Sequence, residues 1–166
     1  MENNFDINVD FNGIVIFNEK LLNQTFGSKI PNDYNLLDEL TETQFGEKVL
    51  LNGAVIPILG IDDGNYFVRF FINSYPSNTD RKIIFSDGFY YLNVDSDVYV
   101  ADVSVFWDWE DDLGWNKVQI PYNKYNVTVE GIHLTHNNEI NYGFDIILSE
   151  YKMVNHITEP RSDSSL

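Results

Sequence analysis

The stretch Ile7–Phe17 reads INVDFNGIVIF. β-prone residues flank Asn12-Gly13, a dipeptide that supplies the positive φ angles of a two-residue hairpin turn. The same plan recurs as KVLLNGAVIPIL (48–59), KIIFSDGFYYL (82–92) and NVTVEGIHL (126–134). The turn pairs are Asn52-Gly53, Asp87-Gly88 and the weaker Glu130-Gly131, at intervals of 35 to 43 residues. The linking sequences share nothing else, which argues against a propeller or solenoid. The pattern predicts four β-hairpins.

Other runs alternate with a period of two, which separates core from solvent in a strand. In YVADVSVFWDW, Tyr99, Ala101, Val103, Val105, Trp107 and Trp109 fall on one face, read as inward, and Asp102 and Asp108 fall on the other. In WNKVQIPY, Val118, Ile120 and Tyr122 point inward, and Pro121 marks an edge or a strand end. In INYGFDIILSEY, Ile140, Tyr142, Phe144, Ile146 and Leu148 share a side. One helix is expected, in NLLDELTETQFG: Leu36, Leu37 and Leu40 form its face, Asn35 caps it and Gly46 ends it. The expected fold is all-β, an antiparallel β-sandwich built from hairpins with one short helix. The 12 Phe and 10 Tyr would fill the space between its sheets. Residues 1–157 are expected to form a single β-rich domain, and residues 158–166 a disordered tail.

Acids outnumber bases 26 to 10 in the 166 residues, for a net charge of −16. Such a field repels nucleic acid and anionic membrane and attracts basic proteins; simple solubility is the competing explanation. The chain has no cysteine, in keeping with a reducing compartment. MENNFDINVDF lacks a basic patch followed by an apolar run, and no segment reaches the ~18 apolar residues of a membrane span, so a cytoplasmic location is expected. The sequons at Asn23 and Asn126 carry little weight there.

Candidate chemistry is sparse. Asp62-Asp63-Gly64, Asp95-Ser96-Asp97 and the acids of 108–112 are rich in oxygen, but none follows the calcium loop with alternating ligands and a distal glutamate. His133 and His136 stand three apart, which sends them to opposite faces of a strand, so no metal site is expected. No strand face carries the two apolar-flanked acids that glycoside hydrolysis needs. There is no nucleophile elbow and no phosphate-cradling glycine loop. Arg69, inside YFVRFFI, is read as a cation on the outer face of a sheet. Neither catalysis nor a cofactor is expected.

The stretch LLDELTETQFGEKVLLNGAVIPILGIDDGNYFVRFFINS (36–74), with NKVQIPY (116–122), VEGIHL (129–134) and INYGFDIILSEY (140–151), resembles the competence nuclease-inhibitor family. The resemblance is one of order and pattern over residues 7–151, with Arg81–Trp115 standing as an insertion. It implies a β-rich, non-catalytic protein that holds a DNA-degrading nuclease inactive, and more broadly a bacterial immunity protein.

Two functions are thus open. One is an acidic immunity or inhibitor protein that neutralises a basic toxin, a nuclease first among them. Its contacts would be Asp108, Glu110, Asp111 and Asp112, then Asp95, Asp97, Asp62 and Asp63, with Trp115 as the aromatic hot spot. The other is a non-catalytic β-sandwich module binding carbohydrate or calcium. The oligomeric state is not readable from the sequence.

Overall fold

The computed structural model describes residues 3–77 and 80–151; the expected tail, 158–166, lies outside them. In chain order the elements are β1 (Asn4–Val9), β2 (Gly13–Asn18), α1 (Glu19–Phe26), α2 (Leu36–Glu42), α3 (Gln44–Leu51), β3 (Val55–Leu59), β4 (Gly64–Ile72), β5 (Arg81–Val94), β6 (Val98–Asp102), α4 (Ser104–Trp107), β7 (Asn116–Val118), β8 (Asn123–His136) and β9 (Glu139–Glu150). The strands form two sheets, β1-β4-β9-β8-β5 and β3-β2-β6-β7. All neighbours run antiparallel except β4 and β9. This is the all-β, two-sheet architecture expected from the sequence.

Two apolar layers hold it together. Between the sheets, Ile14, Ile16, Ile56, Ile58 and Val100 meet Val68, Phe70, Leu92, Val127, Phe144 and Ile146. On the other side of the second sheet, Val15, Phe17, Val55 and Ala101 lie beneath Leu22, Leu36, Val49, Phe106 and Trp109 from the helices and loops. β2 is therefore buried on both faces at every residue, and its sequence is a continuous apolar run from Ile14 to Phe17 rather than an alternation.

The four glycine turns do not make hairpins. β1 and β2 join different sheets, so Asn12 (φ 60°) and Gly13 turn a corner between layers. Asn52-Gly53 ends α3 and leads into β3, with Gly53 at φ 80°. Asp87-Gly88 lies inside β5, where the register against β8 slips between Asp87 and Tyr90. Glu130-Gly131 lies in the middle of β8. Turn-competent dipeptides also serve corners, helix ends and bulges, and only the pairing partner separates these uses. A tight hairpin does join β8 to β9, through Asn137 and Asn138 at φ 50° and 64°. Those angles are the pair that a type I′ turn requires.

The helical layer exceeds the single helix expected at 35–46. Asn35 does accept from the backbone N–H of Asp38, but extended backbone at Thr43 (φ −130°, ψ 170°) divides the segment into α2 and α3. Gly46 is not a terminator. It is a buried residue of α3 pressed against α2, and a Cβ there would stand 1.8 Å from the Leu40 carbonyl oxygen. We expect Gly46→Ala to force the two helices apart and cost about 1–3 kcal/mol, read as a lower urea midpoint at unchanged slope. The additional helix α1 is capped by Asn18 and closed by Gly27 at φ 100°.

The expected strand through YVADVSVFWDW stops at Asp102, whose carboxylate accepts from the backbone N–H and the hydroxyl of Ser104 and turns the chain into α4. The helical period moves Trp107 outward, to 48 % exposure, while Trp109 stays in the core. Tyr122 is likewise exposed, because β7 ends at Val118.

Arg69 lies on the face of β4 opposite Val68 and Phe70, as expected, but it is not free. Its Nε and Nη2 donate to Asp145 at 2.7 and 2.8 Å, and its guanidinium lies 5.3 Å from the ring centres of Phe67 and Phe71. Arg81 Nε donates to the same carboxylate at 2.6 Å, and its Nη2 pairs with Glu130. The Tyr75 hydroxyl adds a bond to Glu130 at 3.0 Å. Burial works against the Arg81 charge, but bonds to Asp145, Tyr75 and Glu130 outweigh it and raise the guanidinium pKa. Two cations and two anions thus form a neutral, bonded network across β4, β9, β8 and β5.

Candidate functional site

The acids singled out in the sequence fall into two groups at opposite ends of the second sheet, with Asp108 and Glu110 between them. β2 and β6 run antiparallel, pairing Ile14 with Asp102 and Asn18 with Val98. The five steps of β2 separate the two ends by roughly 17 Å.

At the Asn18 end stand Asp95, Asp97, Asp111 and Asp112. The Asn18 side chain donates to Asp95 at 2.7 Å and fixes the β5–β6 turn. Burial, then the carboxylates of Asp97, Glu19, Asp112 and Asp111, push the Tyr99 phenol up, which locates all four acids around one ring. Two lysines reach in, Lys29 to Asp111 at 3.6 Å and Lys117 to Asp97 at 3.4 Å. Both are exposed pairs of little energetic weight.

Glu19, the first residue of α1, was not among the sequence candidates. Burial, then a hydrogen bond with Asp111 and its charge, raise the Glu19 carboxyl to about 7, against smaller opposing effects from Lys29 and Asn23. The folded chain therefore holds this proton between about pH 4.5 and 7 while the unfolded chain releases it. Stability contributed by Glu19 is full below the lower value and falls as pH rises through the upper one. We expect Glu19→Gln to flatten this fall: melting curves of the variant and the native chain should converge below pH 4.5 and separate, with the variant higher, at pH 8.

At the Asn12 end stand Asp62 and Asp63, with Asp10 and Asp102. Asp63 accepts from the backbone N–H of Asn12 at 2.9 Å, and Asp102 from that of Asp10 at 3.2 Å. Between the two ends, Asp108 and Glu110 meet Asp33 on the outer face, with ligand oxygens within 4.8 Å of one another. The loops carrying them are zipped by backbone bonds from Asp33 to Trp109 (2.7 Å) and from Trp109 to Tyr34 (3.1 Å).

Trp115 does not occupy the predicted hot-spot position. It is 9 % exposed and lies 4.8, 5.1 and 5.2 Å, ring centre to ring centre, from Trp109, Phe17 and Tyr99. After the acidic loop the chain joins β6 as the edge strand β7, and Trp115, directly before β7, packs on Phe17 and Tyr99 of the second sheet. The exposed tryptophan is Trp107, which contacts Phe11 with ring centres 5.2 Å apart. Its exposure was hidden by the strand-to-helix change at Asp102.

Where β1, β4 and the start of β9 meet, the first sheet bears a cavity of about 680 Å³, lined by Asn4, Asp6, Phe67, Arg69, Asn141 and Tyr142 among others. Gly143 makes room for its Phe67 wall: a Cβ at that position would lie 2.4 Å from the ring. His133 packs edge-on against Tyr142. No helix among the described residues is long and apolar enough to cross a membrane.

No family model matches the chain, and its sequence matches no curated protein. Among solved structures it is similar to the crystal structure of ComJ, inhibitor of the DNA degrading activity of NucA, from Bacillus subtilis. The TM-score is 0.50 at 9 % identity, covering 90 % of this chain and 96 % of that one. The likeness is one of fold. The stretch from Arg81 to Trp115, read from the sequence as an insertion relative to such proteins, supplies β5, β6 and α4 and so contributes to both sheets.

Proposed function

We propose that this chain is a non-catalytic inhibitor or immunity protein that binds a basic protein toxin, a nuclease domain being the foremost candidate. The observation that carries the reading is the assembly of exposed and half-buried carboxylates at both ends of one sheet in a chain of net charge −16. The fold shared with ComJ, an inhibitor of a DNA-degrading activity, supports it. Nucleases hold the phosphate backbone with basic grooves, and an acidic surface competes for the same groove. Asp95, Asp97, Asp111 and Asp112, with Glu19, form one proposed contact group; Asp62 and Asp63 form a second, and Asp108 and Glu110 lie between them. The test is titration of the purified chain into a basic nuclease domain encoded beside its gene. Stoichiometric loss of DNA cleavage at nanomolar concentration supports the reading; undiminished cleavage at a large excess overturns it.

The cavity on the first sheet favours a second reading, a ligand-binding module. Aromatic walls beside amides, a carboxylate and a charge-balanced guanidinium suit a neutral, polyhydroxylated ligand. Thermal shift across a glycan panel, with and without calcium, separates the two readings: a clear rise in melting temperature favours the second.

A further inference from the structure

We propose that Phe11 and Trp107 form an arginine-binding anchor at the Asn12 end of the second sheet. The inference rests on the inhibitor reading and names the partner side chain that this corner receives.

Three observations converge on it. First, Phe11 and Trp107 are 41 % and 48 % exposed and touch at 5.2 Å, whereas Trp109 and Trp115 are buried. The two rings in contact make an exposed aromatic patch with polar residues around it. Second, acids flank the rings along the chain. Asp10 precedes Phe11 and Asp108 follows Trp107, while Asp63 and Asp102 accept from the backbone N–H groups of Asn12 and Asp10. None of the ion pairs found among the described residues involves these acids. Third, the corner is held in place before any partner arrives. The Asn12 side chain donates to the Ile61 carbonyl at 3.0 Å, and the Asn12 carbonyl accepts from Gly60 at 3.1 Å. Asp102 at the same time fixes the start of α4, which carries Trp107.

A guanidinium satisfies every part of this surface. It is planar and weakly hydrated, so its face stacks on indole or phenyl while its edge donates to carboxylates alongside. A lysine ammonium meets the charge but is more strongly hydrated and offers no planar face. The group around Tyr99 lacks this paired arrangement: the Tyr99 ring is half-buried, and the exposed Tyr122 there stands as a single ring whose hydroxyl donates to Asp97 at 3.4 Å.

The experiment uses octa-arginine and octa-lysine peptides on the native chain, Trp107→Ala and Asp111→Asn/Asp112→Asn, read by tryptophan fluorescence and calorimetry. Circular dichroism melts confirm that the variants are folded. The native chain should favour octa-arginine by about fivefold, a cation–π contribution at a surface site. That preference should vanish in Trp107→Ala and persist in the Asp111/Asp112 variant, which should weaken both peptides equally. Octa-arginine should also protect the exposed indole from acrylamide quenching. Equal binding of the two peptides by the native chain, or a preference that survives Trp107→Ala, overturns the anchor. Neither result touches the inhibitor reading, which stands or falls on neutralisation of the nuclease domain.

Discussion

Asp145→Ala should destabilise the fold by about 3–5 kcal/mol, a large part of the stability of a domain this size. The carboxylate is fully buried and accepts from both Arg69 and Arg81. Its removal strands two guanidinium charges in the first sheet, with Glu130 and Tyr75 left to meet Arg81 and the Phe67 and Phe71 rings beside Arg69. The loss comes from the uncompensated charge rather than from a missing attraction. Hence replacing the network as a unit, with Arg69→Met, Arg81→Met, Glu130→Leu and Asp145→Leu together, should cost far less than the single change. Urea denaturation of the native chain, the single variant and the quadruple variant measures both effects. A single-variant loss under about 1 kcal/mol would mean that water reaches the network and screens it.

The second large effect concerns association. Asp97→Asn, Asp111→Asn and Asp112→Asn combined should lower the on-rate for a basic nuclease domain on the order of tenfold at low salt, and should flatten its dependence on ionic strength. These side chains are exposed or half-buried on a rim, where charge steers encounter more than it holds the complex. The dissociation rate should change little. Trp107→Ala should do the reverse, speeding dissociation at an unchanged on-rate, because a stacked side chain contributes after contact. Stopped-flow association across a salt series distinguishes them. An on-rate and salt slope unaltered by the triple change would remove the Tyr99 group from the interface.

Several features were legible in the sequence. Phe144, Ile146 and Leu148 alternate because one face of β9 meets the core, and Val118 and Ile120 were placed inward for the same reason. Asn35 was legible as a cap, since a short acceptor before an apolar helical run has few other uses. Arg69 was correctly read as outward, because a strand alternates whatever its partners. The helix α1 could also have been found from Asn18, Glu19 and Gly27, a cap, a first-turn acid and a terminating glycine.

Other features were not. Asn12-Gly13 looked the same as a hairpin turn because local chemistry fixes the backbone angles and not the destination of the next strand. Trp107 and Trp115 exchanged roles when the chain left strand geometry at Asp102, since a period of 3.6 presents different side chains from a period of two.

What the sequence alone determined was the charge, the β-rich composition, the positions where the backbone turns and the side chains that alternate. All of these depend on residues a few positions apart. The tertiary structure decided which strands pair, which carboxylates share a neighbourhood and which tryptophan meets solvent. Glu19 and Asp111 are 92 residues apart in the chain and adjoin only because α1 and the acidic loop lie over the same sheet. Burial and electrostatics act through space, and distances through space are set by the sheet order.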